Sequence, residues 1–337
     1  MTLADVWFVL VAVLLTGYAV LDGFDLGAGV LYPFLGRTEK QKATIRDAIG
    51  PVWDGNEVFL VAGGGALFAA FPPVYAMTFS GFYLAIMLVL FGLIFRAVSL
   101  EFRHRDDAWA RVWDAGFFLG SLLPALLIGV ALGNVIRGVP LDANGDYAGT
   151  FLELLNPYSL LIGITGLALF TTHGAAWLAH KSEGDLHRRA TRARAAGYAV
   201  FLLLAIASTV VTFIAVPRAS DNVVGSPSGW AFIVLLAAAV FYTLWQIGAQ
   251  ADLKAFLGSA ATIVALAGVA AVGNYPDMVP ARGTGEETSL TVANSSSGDL
   301  TLGVMLVIAV IGLPLVATYT IVVYRVFTGK VKAGEGY

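Results

Sequence analysis

Leu84-Ala85-Ile86-Met87-Leu88-Val89-Leu90-Phe91 is apolar at every position. A strand of a membrane β-barrel alternates apolar and polar residues over about ten positions, and this run does not alternate. It lies inside a longer apolar segment, 76–98. A helix rises about 1.5 Å per residue and needs roughly 20 apolar residues to cross a bilayer core, so this segment reads as a transmembrane helix.

Similar segments recur along the chain, at roughly 6–31, 52–71, 76–98, 113–136, 157–179, 196–216, 229–249, 253–273 and 301–327. Composition agrees with nine spans. The chain is 58% hydrophobic and 13% charged, whereas soluble domains average about 25% charged and 45–50% apolar residues. The predicted fold class is therefore an all-α polytopic membrane protein, a single integral membrane domain over 1–337 with approximate halves 1–140 and 141–337. The net charge of −3 says nothing about nucleic acid, and the sequence shows no basic domain, so no nucleic-acid partner is expected. There is no cysteine, which excludes disulfides, thiolate metal sites and iron–sulfur clusters. The N-terminal segment lacks a basic leader and its apolar run continues for a full span, so it is not read as a cleavable signal.

Lys and Arg set the expected orientation. The loops carrying Arg37 to Arg46, Arg96 to Arg111, Lys181 to Arg194, Lys254, and Arg325 to Lys332 hold 17 of the 20 basic residues. The opposite loops hold only Arg137, Arg218 and Arg282. The positive-inside rule places the basic side in the cytoplasm. Nine spans then put the N-terminus outside and the C-terminus inside. The outer loops, 138–156 and 275–300, are polar but too short for a separate domain. Val52-Trp53-Asp54-Gly55 and Val112-Trp113-Asp114-Ala115 form a weak internal echo. Repeated hairpins would produce it, and so would the ordinary preference of Trp and Asp for interfaces and helix starts.

Four acids stand out on apolar, helix-length stretches: Asp22 and Asp25 in Leu21-Asp22-Gly23-Phe24-Asp25-Leu26-Gly27, and Asp54 and Glu57 in Trp53-Asp54-Gly55-Asn56-Glu57-Val58-Phe59. An aspartate at a helix centre costs about 2.5–3.5 kcal/mol on insertion scales. Asp22 lies roughly 24 Å along the first helix from Trp7, in its cytoplasmic half. Asp54 and Glu57 lie at a similar depth because the second span starts from the cytoplasm. Each pair is spaced i,i+3 and shares a helix face. Such carboxyls either relay protons or bond local backbone and partners such as Asn56 or Arg96. Both readings fit the residues. The glycines Gly23, Gly27, Gly55 and Gly63-Gly64-Gly65 allow close helix approach or room for water. His104 and His187 are expected in solvated basic loops. His173 is expected within the membrane as a hydrogen-bonded structural residue, with haem or proton contact as the alternative. A lone intramembrane histidine cannot build a bis-histidine haem site. Three function classes suit these features: a subunit of a redox complex, a proton-coupled secondary transporter, and a structural scaffold.

The chain resembles subunit II of the cytochrome bd-type quinol oxidases. The resemblance rests on Leu21-Asp22-Gly23-Phe24-Asp25-Leu26-Gly27, Phe34-Leu35-Gly36-Arg37, Trp53-Asp54-Gly55-Asn56, Gly63-Gly64-Gly65-Ala66-Leu67-Phe68 and Phe79-Ser80-Gly81-Phe82-Tyr83. Later, Ile128 to Asn134, Leu155-Asn156-Pro157, Gly184-Asp185-Leu186-His187 and Thr301 to Met305 match in order. It implies two four-helix bundles plus a peripheral helix. It also implies a partner, subunit I, that binds haem b and haem d and oxidises quinol, membrane lipids around both chains, and room for small accessory subunits. The complex would reduce dioxygen to water in the bacterial cytoplasmic membrane, and this chain would support subunit I and line a cytoplasmic proton pathway. The resemblance makes Asp54 a pathway residue, with Asp25 and Asp22 as relatives of that role and Trp53 and Asn56 as lining candidates. Two positions depart from the pattern. Phe59 stands where the family often has tryptophan, so an indole donor is lost from a channel-lining position. Glu57 stands where glutamine occurs, which adds a carboxyl that can carry a proton.

Overall fold

The computed structural model describes residues 2–103, 108–283 and 289–331. His104, Arg105, Glu286, Glu287 and Lys332 lie outside these residues. In chain order the helices are α1 (Leu3–Leu35), α2 (Glu39–Ile49), α3 (Trp53–Ala70), α4 (Pro72–Gly81), α5 (Tyr83–Phe102), α6 (Ala110–Arg137), α7 (Phe151–Leu154), α8 (Pro157–Lys181), α9 (Gly184–Ala215), α10 (Pro217–Val224), α11 (Pro227–Gly248), α12 (Asp252–Asn274), α13 (Val292–Ser295) and α14 (Asp299–Val326). The two strands, β1 (Asp277–Val279) and β2 (Leu290–Thr291), pair antiparallel.

Among the described residues eight helices are long and apolar enough to cross a membrane: α1, α5, α6, α8, α9, α11, α12 and α14. The segment expected as the second span is α3, eighteen residues long, and it is not among the eight. Asp54, Asn56, Glu57 and three consecutive glycines dilute its apolar content. Between this segment and the next span, Phe71-Pro72-Pro73 starts a separate helix, α4, with Pro72 and Pro73 in its first turn. Proline there lacks only an N–H that the helix would leave unbonded. The following span therefore begins at Tyr83 rather than at 76.

Sequence signals set most other boundaries. The Thr2 hydroxyl accepts from the Asp5 amide and the Asp5 carboxylate accepts from the Thr2 amide, a reciprocal cap on α1. Asn156 caps α8 through the Ser159 amide at 3.0 Å, and Ser226 caps α11 through the Gly229 amide at 3.1 Å. The turn between α11 and α12 passes through Gln250 at φ 54 and delivers Asp252 to the first turn of α12. Helix α9 is longer than the span expected at 196–216. Its 32 residues begin with a basic segment from Gly184, and a bilayer core takes only about 20 of them.

Helix α8 packs against α1, α6, α9 and α12, and α1 also packs against α3, α6 and α12. The α1–α8 crossing is a backbone contact. A Cβ on Gly27 would overlap the Phe170 carbonyl, and one on Gly174 would overlap the backbone of Gly27 and Ala28. Small residues at a crossing let two helices reach this distance. Among the described residues helix α14 packs mainly against α1 and α3, and its long face of Val304, Ile308, Ile311 and Leu315 is exposed. At one end, Val139, Leu141, Val279, Leu290 and Val292 join Phe71, Val74 and Met77 in a shared apolar cluster. The basic loops gather at the other end.

Candidate functional site

The site lies where α1, α3, α5 and the last turns of α14 meet. Asp22 and Asp25 on α1 are both fully buried. Three residues advance about 300° around a helix, so the two side chains diverge and meet different partners. Asp22 Oδ1 faces Arg96 Nη2 of α5 at 2.7 Å, with both side chains at 2% exposure or less. The same Nη2 lies 2.5 Å from Glu57 Oε1 of α3, whose side chain is 24% exposed. Arg96 thus bridges two carboxylates from two helices. The Tyr18 hydroxyl, one turn before Asp22, is buried beside it.

Asp25 faces the other way. Its Oδ2 accepts from Asn56 Nδ2 of α3 at 2.8 Å. Asn56 Nδ2 also donates to the Leu21 carbonyl at 3.1 Å, and Asn56 Oδ1 accepts from the Tyr324 hydroxyl of α14 at 3.0 Å. A flipped amide would set its oxygen against the Leu21 carbonyl, so the network fixes the orientation. Asp25 Oδ1 and Arg96 Nη1 are buried without a hydrogen-bond partner among the described residues.

Asp54 does not join this cluster. It is exposed in the first turn of α3, about 60° around the helix from Glu57. Of the four acids expected at similar depth, Asp22, Asp25 and Glu57 lie in this cluster and Asp54 stands beside it. Trp53 is half-buried and packs on the core around Phe24, Tyr32 and Trp177. Phe59 lies against Gly17 of α1, where an added Cβ would meet its ring at 2.8 Å. The echo of Trp53-Asp54 at Trp113-Asp114 does not repeat the environment. Asp114 is held by Lys42 at 2.6 Å, by Arg103 at 3.1 Å and by the Tyr32 hydroxyl at 2.6 Å. Arg103 also pairs with Glu39. This is an ion-pair latch tying α2 to α1, α5 and α6.

His173 is fully buried. Its Nε2 donates to the Val20 carbonyl at 3.0 Å, and its Nδ1 shares a hydrogen bond with Ser259 Oγ at 2.7 Å. The ring stacks on Phe256 at 4.5 Å. Both nitrogens are engaged, so the residue does not fit an axial haem ligand. His187 is more structured than a solvated loop residue. Its Nδ1 bonds the Ala179 carbonyl at 2.9 Å and lies 3.7 Å from the Asp252 carboxylate, which also accepts from Arg194 at 2.8 Å.

Tyr324 is the member of the site that sequence reading does not single out. It lies 268 residues from Asn56, and a tyrosine near the end of an apolar helix is ordinary at a membrane interface.

A family model described as cytochrome bd terminal oxidase subunit II matches residues 3–327. The chain belongs to this family. It is 36% identical to the cytochrome bd-I ubiquinol oxidase subunit 2 of Escherichia coli K12, over 97% of this chain and 94% of that protein. It is 35% identical to the cytochrome bd ubiquinol oxidase subunit 2 of Bacillus subtilis, over 99% of this chain and 98% of the other. In three dimensions it is similar to a chain of the bd oxidase structure from Geobacillus thermodenitrificans. The TM-score is 0.81 at 18% identity, with 97% of this chain and 99% of that chain covered. At that identity the structural likeness speaks to fold alone. The helical membrane fold of this oxidase subunit family accounts for the apolar spans, and family membership removes the ground for the transporter alternative.

Proposed function

We propose that the chain is the non-haem-ligating subunit of a quinol:oxygen oxidoreductase in the bacterial cytoplasmic membrane. In this reading it supports the haem-bearing subunit I and lines a proton route from the cytoplasm towards the oxygen-reducing haem. Haem b and haem d, held by the partner, supply the electron transfer and oxygen chemistry. The relatives named as ubiquinol oxidase subunits support quinol as the electron donor. Oxygen reduction to water consumes protons, and this chain's residues are suited to bring them.

One observation carries the reading: two polar groups, Tyr324–Asn56–Asp25 and Asp22–Arg96–Glu57, lie side by side along α1 as a polar string in the interior. Buried charged groups are rare unless paired, and intramembrane ionisable residues usually mark a substrate or ion pathway. Carboxyls can take and release a proton. The Asn56 amide cannot do so readily, and it positions Asp25 and Tyr324 instead. Buried polar atoms are almost always bonded to protein or to water. Asp25 Oδ1 and Arg96 Nη1 are accordingly assigned to water molecules that complete the relay. Glu57 is where the string reaches the surface of the chain, and exposed Asp54 stands one turn away on the same helix. Both would face the partner that covers α3, and Trp53 and Phe59 would wall the passage.

The test replaces Asp25, Asp22 and Asp54 singly by Asn in the purified oxidase, with haem absorption reporting assembly. Asp25→Asn is expected to slow quinol-dependent oxygen uptake about tenfold or more with the spectrum retained, a modest share of what positioned proton transfer contributes. Wild-type turnover in all three variants would end the proton-route reading. A stable, colourless protein that never purifies with a haem-rich partner would end the oxidase reading.

A further inference from the structure

A cavity of about 280 Å³ opens at the basic end of the molecule, below the polar string. Asp47, Val52, Trp177 and Tyr324 line its floor and sides, and Phe327 to Val331 form its outer wall. This stretch is clipped in place chiefly by Lys181. Lys181 Nζ, at the end of α8, donates to the Phe327 carbonyl at 2.6 Å and to the Gly329 carbonyl at 3.1 Å. The Val331 amide donates back to the Lys181 carbonyl at 2.9 Å. Lys181 also sits over the Trp177 ring at 4.8 Å, and Lys330 reaches Glu183 at 3.7 Å.

Two features distinguish this cavity from a packing defect. Its floor carries a carboxylate, and a void bordered by polar groups holds water, whereas an apolar one stays dry. Its inner end is Tyr324, whose hydroxyl shares the Asn56 amide with Asp25. Tyr324 and Asn56 therefore stand between a water in the cavity and the Asp25 carboxyl.

We propose that this cavity is the mouth through which water and protons reach Asp25, and that the Phe327–Val331 strap, clipped by Lys181, forms its wall and limits access to it. The proposal rests on the proton-route reading above and adds where the route begins and what restricts it.

The chain lacks cysteine, so single thiols can probe the cavity in the purified oxidase, with the cysteine-free chain as the control for labelling elsewhere. Thr328 lies on the strap at an exposed position lining the cavity. A maleimide adduct on Thr328→Cys is expected to lower oxygen uptake about tenfold with the haem spectrum intact, and an adduct on Lys40→Cys, away from the cavity, is expected to leave it unchanged. Unchanged uptake in the labelled Thr328→Cys oxidase, beside a slow Asp25→Asn oxidase, overturns the mouth and leaves the route standing. Unchanged uptake in both overturns the two together, and a block at position 328 with a normal Asp25→Asn oxidase also overturns the proposal, since the mouth would not lead to Asp25. A second variant tests the strap. Lys181→Met is expected to speed maleimide labelling of Val52→Cys severalfold, and an unchanged labelling rate rejects the clip as a restriction.

Discussion

Arg96 holds two carboxylates with one guanidinium nitrogen, and its remaining Nη1 is buried without a partner among the described residues. The three charged groups come from α1, α3 and α5. Removing the cation leaves Asp22 buried and unpaired. Breaking one side of a buried ion pair typically costs about 3–5 kcal/mol. Arg96→Met is therefore expected to lower the thermal midpoint of the purified oxidase and the yield of assembled complex. Adding Asp22→Asn should return part of the loss, because the stranded charge is then removed. A double variant no more stable than Arg96→Met would show that Asp22 is not the group Arg96 compensates. Asn56 shows the same logic without charge: its two amide hydrogens and its oxygen are all committed, which makes it a rigid spacer between Asp25 and Tyr324. The departure at Phe59 also has a local consequence. An aromatic ring against Gly17 keeps the α1–α3 packing while offering no donor to a neighbouring passage.

Among the elements, α1 carries two acids of the site and is set in place by its crossing with α8. Their backbones touch at Gly27 and Gly174, two residues after Asp25 on one helix and one after His173 on the other. Any side chain at Gly27 meets a carbonyl that cannot move without shifting α8. Gly27→Ala is expected to destabilise by about 1–3 kcal/mol, the usual range for overpacking, and Gly27→Leu to reduce assembly further. Thermal melting and haem content of the purified complex would read this, and a wild-type melting point for Gly27→Leu would refute the backbone crossing. Short helices also matter here. Helix α2 is held by the Lys42–Asp114 and Arg103–Glu39 pairs and by a hydrogen bond from the Trp177 indole to the Ala48 carbonyl at 2.9 Å. It forms one side of the basic end where the proposed mouth opens.

For the whole molecule, two uncovered surfaces dominate. Helix α14 has only 6% of its most apolar window buried, and α3 exposes Val58, Val61 and Phe68 on the side that also carries Asp54. Apolar faces of this size require lipid or another membrane chain, which agrees with a subunit of a larger complex. The proposed orientation makes a direct prediction. With 17 of the 20 basic residues in or beside the loops expected to face the cytoplasm, Lys40→Cys should resist a membrane-impermeant maleimide in intact cells and Asn144→Cys should react. The opposite pattern would invert the topology and move the acid cluster to the outer half. Much of this was legible in advance. Asp22 and Asp25 were conspicuous because carboxyls are costly in apolar helices, and span ends followed caps, prolines and charge. The failures have physical causes as well. The Pro72-Pro73 break can turn a chain and also start a helix, and only packing decided that α4 follows it. Asp54 and Glu57 share a spacing that suggests one face, yet 60° of rotation at a helix end separates a buried residue from an exposed one.

By itself, then, the sequence determined the solvent, the helical class and the candidate acids. These follow from local composition and from the free energy of placing charge in hydrocarbon, which depends on no distant contact. The tertiary structure alone decided that Asp22 and Glu57 share Arg96, that Asp25 reaches Tyr324 through Asn56, and that Lys181 clips the C-terminal strap. Each of those depends on side chains from different helices meeting within about 3 Å, a distance set by how the helices pack and by nothing in their local sequence.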